Sequence, residues 1–379
     1  MHAGRMLIEM GNITERAQAR DLLEEGLQPG IRLAFGSITD LIDIYNSIGP
    51  IEKAKELLDK YGDRIREAYD ADQLAGVEAK LAAEIETHVD LKVDGGRKRF
   101  KRAQYPTKEA FNGPLYELFV RDVASDFNAE AARFSRSDYI LTIGSCFARR
   151  IASAMREQGI NATCYSLAET VNTTYANRDF FGFIAGNKGK NDQFWESELS
   201  DRSEKSRKGN IIRVVEKSSI IVYTLGVAPA FFNRDSGAFT PHSADSFKTR
   251  SFLKDNVYRM TTVEENVENL SYIFENLNSL NPDFRLVLTV SPVPLRATFE
   301  SGSAIVSDCE SKSTLRVAAT QFARMHPGRV VYWPSFEMVK WVSPHREPFY
   351  GTDDGFSIHI SDEVVSTIVK AFLGLCLVD

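Results

Sequence analysis

Ser145 and Cys146 are the residues of this 379-residue chain whose types and placement suggest covalent chemistry. They lie in YILTIGSCFARRIASAMREQGI at 139–160, where a short apolar run passes through Gly144 into a helical pattern. A hydroxyl at such a corner sits beside the first free N–H groups of a helix. Those groups can hold the oxyanion formed when an oxygen attacks a carbonyl carbon. The same position lowers a thiol's pKa, so Cys146 is a second candidate nucleophile. Ser145 is equally compatible with plain helix capping, which serine performs in many helices that do no chemistry.

The elements that must position this corner follow from periodicity. Tyr139, Ile140, Leu141 and Ile143 have the length expected of a parallel strand covered on both faces. Phe147, Ile151 and Met155 recur every four residues, which puts one face of the next helix on the sheet, and Gly159 ends it. Further strands are expected at 162–166, 219–225, 285–290 and 329–333. Thr262 and Glu265 form a capping box ahead of the stripe Val263, Val267, Leu270, Phe274 and Leu277. The next helix is expected over 312–325, and Ser361 caps the last, with Val364, Val365, Ile368 and Phe372 facing inward. Strands alternating with helices predict a flavodoxin-like three-layer α/β core on a parallel sheet, with its site at the strand carboxyl ends.

Residues 137–379 form this expected α/β domain. Residues 1–92 predict a small all-helical region, with helices near 13–27, 38–48, 50–61 and on to 84, and 93–136 predict a basic linker and lead-in. Five basic residues crowd 97–102, a run that usually marks a solvated segment. The polar stretch 188–209 reads as a surface loop with Trp195 as its apolar anchor. Charged residues make up 26% of the chain and hydrophobic ones 43%, as in an ordinary water-soluble protein. A net charge of -6 argues against a dedicated nucleic-acid binder. No apolar run is long enough to span a membrane, and the first residues lack a signal-peptide core, so a cytoplasmic protein is expected. The four cysteines are scattered without CxxC spacing, which indicates neither a metal site nor a disulfide framework. No cofactor is expected.

The letters GSCFA at 144–148 resemble the signature of the GSCFA family, which is grouped with the SGNH (GDSL-like) hydrolases. The likeness continues in order: SSIIVYTLG at 218–226, His242 in TPHS, LTVSPV at 288–293, SKSTLRVA at 311–318, VYWPSFE at 331–337, and FYGTDD at 349–354 followed by His359. It implies an SGNH-like core over about 137–372. Ser145 would be the nucleophile, His359 the general base, and Asp353 or Asp354 the carboxylate that orients it. The N–H groups near Cys146 and Gly226 would hold the oxyanion, and His242 would line the pocket. Some positions depart from the pattern. Ala228 stands where the family has an Asn, Pro294 and Leu295 replace a His, and the Asp–His loop is three residues longer. The likeness of VNTTY at 171–175 to the family's YNP segment implies that Asn172 would be the substitute oxyanion donor.

The resemblance implies a serine esterase or O-acyltransferase that acts on small acyl esters, acetyl among them, of a glycan or polyol. Three alternatives stay open: a non-catalytic SGNH-like binding module, acyl transfer through a Cys146–His359 pair, and an interaction protein. In the last case the N-terminal helices would carry homo-oligomer or partner contacts.

Overall fold

The computed structural model describes residues 104–166, 172–200, 208–243, 249–346 and 348–378, together with strands at 88–93 and 96–101 and helical residues Glu56, Leu57 and Lys60. The helices expected near 13–27, 38–48 and 62–84 lie outside the described residues. The chain divides into two compact units, Met1–Thr107 and Lys108–Asp379. In the first, His88–Val93 pairs antiparallel with Gly96–Lys101, so most of the basic run expected as open linker forms the second strand of a hairpin.

The second unit is built on five parallel strands: β1 (Tyr139–Gly144), β2 (Asn161–Ser166), β3 (Ile220–Leu225), β4 (Arg285–Val290) and β5 (Val330–Tyr332). Their order across the sheet is β5-β4-β3-β1-β2. This is the flavodoxin-like arrangement, in which the crevice opens where the winding reverses, between the carboxyl ends of β1 and β3. The sequence-expected fold class and all five strands are present.

Alternation along the strands feeds two cores. Ile140, Val222, Val287 and Val331 face α1 (Cys146–Glu157), α6 (Ser335–Lys340) and α7 (Asp362–Cys376). Leu141, Ile143, Ile221, Tyr223, Leu286 and Leu288 face α2 (Thr174–Ile184), α3 (Lys208–Lys217), α4 (Val263–Leu280) and α5 (Ala304–Met325). The Thr262–Glu265 capping box forms, and the Ser361 side chain caps α7.

Some expectations need correction. Residues 108–135 are part of the α/β unit rather than a lead-in, because Phe111, Leu118, Phe119 and Phe134 bury in its first core. Phe134–Ser135 also pairs with Leu377–Val378. The polar stretch after 188 contains a helix, Asp192–Ser200, whose Trp195 is buried and donates to Asp179 at 2.9 Å. Helix α5 starts at Ala304, two turns before the expected Lys312.

Candidate active site

Gly144 makes the corner. Its φ of 147° is open to glycine, and a Cβ there would lie 2.9 Å from both Cβ and O of Thr224 on β3. The chain leaves β1 hard against β3 and enters α1 through Ser145, in extended conformation, which places that residue at the point of reversal. The Ser145 side chain does not cap α1. Ser145 is fully buried, and among the described residues its Oγ has no hydrogen-bond partner. A buried, unbonded hydroxyl costs free energy that a cap would have avoided, so the simple capping reading fails. Cys146 begins the helix, partly buried.

Across the crevice, Gly226 follows β3. A Cβ on it would lie 2.5 Å from Nδ2 of Asn172, so only glycine lets the Asn172 amide lie against this backbone. Asn172 is held from three sides. Its Nδ2 donates to Thr224 O (3.1 Å), its Oδ1 accepts from Asn177 (3.0 Å), and its carbonyl accepts from Val227 N (3.1 Å). The loop after β3 is tied to α5 as well: buried Lys312 donates to Gly226 O at 2.7 Å, and Ala228 N donates to Ser311 Oγ at 2.9 Å. Thr261 Oγ1 donates to Ala228 O and accepts from Asn266, which in turn accepts from Thr174 on α2. Ala228 thus carries no side-chain donor, while its backbone is fixed on both sides.

His359 ends the lengthened loop. Its Nδ1 lies 2.5 Å from Oδ2 of Asp354, and Asp354 Oδ1 accepts from Phe356 N at 3.0 Å. Those bonds, the His359 one foremost, hold the Asp354 carboxyl below its usual range, so it is the acceptor and the ring nitrogen the donor. Gly351 and Gly355, both at positive φ, make the tight turns that fold the extra residues back on the imidazole. Asp353 points elsewhere. It accepts the Asp362 N–H at the start of α7 (2.6 Å) and pairs with Arg150 (3.5 Å), which also bonds Ile360 O and Asp362. Arg150 thereby ties α1 to the His359 loop. His359 and Ser145 are not hydrogen-bonded to each other in this structure, since Ser145 Oγ has no described partner.

His242 is buried against Phe231 and Phe252, in an aromatic group with Tyr258 and Phe299. Burial lowers its pKa to about 4, so it is neutral near pH 7. Cys376 is buried with its thiol pushed up to about 12, and burial likewise raises Cys164, which suits packing rather than reaction. Among the described residues no cluster of His, Cys, Asp and Glu could hold a metal ion. No described helix is long and apolar enough to cross a membrane.

The fold and site define a doubly wound α/β protein with a serine at the switch point of its sheet. The chain belongs to the GSCFA family, whose pattern matches residues 139–372. Solved structures similar to it include a protein assigned as a GDSL-like lipase from Parabacteroides merdae, at 10% identity and TM-score 0.37, covering 64% of this chain and 97% of that one. Another is a carbohydrate esterase family 2 enzyme with its carbohydrate-binding domain from Corynascus thermopiles (Myceliophthora fergusii), at 12% identity and TM-score 0.35, covering 64% and 67%. A third is an acetyl xylan esterase from Butyrivibrio proteoclasticus, at 11% identity and TM-score 0.34, covering 64% of each. None of the curated proteins compared matches the chain.

The residues that sequence reasoning undervalued are Ser311, Lys312, Thr261 and Arg150. The first two stand in the SKSTLRVA motif, which was the available signal.

Proposed function

We propose that this chain is a serine esterase or O-acyltransferase of the SGNH kind, acting on small acyl esters of a glycan or similar polyol. The observation that carries the reading is Ser145 Oγ, held at the sheet's switch point, unused as a cap and unsatisfied by the fold. Ser145 Oγ attacks the ester carbonyl carbon as its proton passes to Nε2 of His359. Asp354 holds the opposite ring nitrogen and stabilises the imidazolium. The N–H groups near Cys146 and Gly226, with the Asn172 amide, receive the oxyanion. Collapse breaks the C–O bond, His359 returns the proton to the leaving alkoxide, and water or a second hydroxyl then takes the acyl group from Ser145. Because Ser145 is fully buried, substrate entry has to uncover it and close the gap to His359. Catalytic hydrogen bonds absent before substrate binds are common in such enzymes.

Treatment with a fluorophosphonate probe and peptide mass spectrometry tests this. The adduct is expected on Ser145, absent in Ser145→Ala, and formed at least about a hundredfold more slowly in His359→Ala. Folded wild-type protein that takes no label sinks the proposal. That result favours the second reading, a non-catalytic SGNH-like module, whose supporting observation is the same burial of Ser145. Label mapped to Cys146 would transfer the nucleophile's role to the thiol.

A further inference from the structure

A cavity of about 370 Å³ opens along α2, and none of Ser145, Asn172, Gly226 or His359 contributes to its wall. The volume lies in the range of small-molecule sites. Tyr175, Phe239 and Tyr272 supply ring surface, while Arg178, Lys188 and Lys190 supply positive charge.

The wall is fixed by bonds internal to the fold. A Cβ on Gly182 would meet Tyr272 Oη at 2.9 Å, so a glycine on α2 is what lets the ring lie against the helix. The rim loop is pinned at three points: Asn187 Nδ2 donates to Asn276 (2.6 Å), Gly189 N to Asp192 (3.1 Å), and Asn191 Nδ2 to Asp179 (2.8 Å). Asp179 is part of the same wall and accepts from the neutral Asn191 amide and Trp195 indole, so the wall carries three cations against one carboxylate. Arg178 bonds the neutral Asn269 amide and lies 4.8 Å over the Tyr272 ring. Among the described residues, neither it nor Lys188 nor Lys190 pairs with a carboxylate. A pinned rim that presents an excess of cations suits an anion, and the ring surface of Tyr175, Phe239 and Tyr272 suits the C–H face of a sugar.

We propose that this cavity binds an anionic saccharide, a sugar bearing a carboxylate or phosphate, at a site separate from the Ser145 corner. The inference does not rest on the catalytic reading, because recognition here needs neither Ser145 nor an ester.

The test is isothermal titration of the full chain with digalacturonic acid and with glucose 6-phosphate, using cellobiose as the uncharged comparison. Saturable binding of at least one acid is expected, weakened by added salt and reduced about tenfold in Lys188→Ala/Lys190→Ala. The two lysines are exposed, so their loss leaves the core untouched. Carboxylate and phosphate sources are told apart by which acid binds more tightly. Ser145→Ala should bind as wild type, so failure of the serine chemistry would leave this result standing. No binding of either acid at millimolar concentration, equal binding of cellobiose, or undiminished binding by the double variant would each overturn the proposal.

Discussion

Asp353 and Asp354 are neighbours in sequence, yet the fold gives them separate work. Asp354 lies 2.5 Å from the His359 ring nitrogen, whereas Asp353 receives the Asp362 N–H at the first turn of α7 and faces Arg150. Counting from Phe349 and Tyr350 favours Asp353, yet Asp354 is the residue on the imidazole, because the three extra residues fold into turns at Gly351 and Gly355 that sequence spacing does not reveal. The two carboxylates should therefore fail differently. Asp354→Asn keeps the shape but loses the charge facing the imidazole, and should slow probe labelling of Ser145 about a hundredfold or more, with little change in unfolding midpoint. Asp353→Ala removes a helix-start acceptor and should cost about 1 kcal/mol of stability with labelling largely preserved. Labelling rates and urea midpoints of the two variants measure this, and the reverse pattern would assign the orienting role to Asp353.

The β1–α1 turn and helix α5 show which elements sequence can disclose. Strand β1 and helix α1 were legible because their buried positions are apolar and regularly spaced: Ile140, Leu141 and Ile143, then Phe147, Ile151 and Met155. The first turns of α5 were not. There the inward positions are Ser307, Asp308, Ser311 and Lys312, while Ile305 and Val306 face solvent, so the hydrophobic pattern is inverted. The inversion has a structural cause. Asp308 accepts Leu295 N, Ser311 accepts Ala228 N and Lys312 donates to Gly226 O, so this polar face holds the loops that follow β3 and β4. The residues that support the site were therefore the ones least visible to a periodicity argument. At the turn itself, Gly144→Ala would place a methyl 2.9 Å from Thr224 at a φ that L-residues rarely adopt. We expect a loss above about 2 kcal/mol in urea unfolding, with the remaining folded fraction poorly labelled at Ser145. Wild-type stability in that variant would mean the corner is not built as described.

For the molecule as a whole, the buried titratable groups set how the fold responds to acid. His242 has its pKa lowered from 6.5 to about 4, chiefly by burial. Between those values the unfolded chain binds a proton that the folded chain refuses, so stability rises with pH across that window and falls as pH drops from 6.5 to 4. The shift corresponds to about 3 kcal/mol at most. Glu265 acts below it. Hydrogen bonding from Arg259, offset in part by desolvation, brings its pKa from 4.5 down to about 2. Its contribution is therefore complete above pH 4.5 and is lost as pH falls through 2. The acid response should have two stages, with His242 governing the first. In His242→Phe, which places a third ring beside Phe231 and Phe252, urea midpoints should decline much less than in wild type from pH 6.5 to 4.5, the remainder coming from His326, and still decline at lower pH. A variant that keeps the wild-type slope above pH 4.5 would move the first stage to His326, whose pKa burial also lowers, and would show that the aromatic pocket tolerates a charged imidazole.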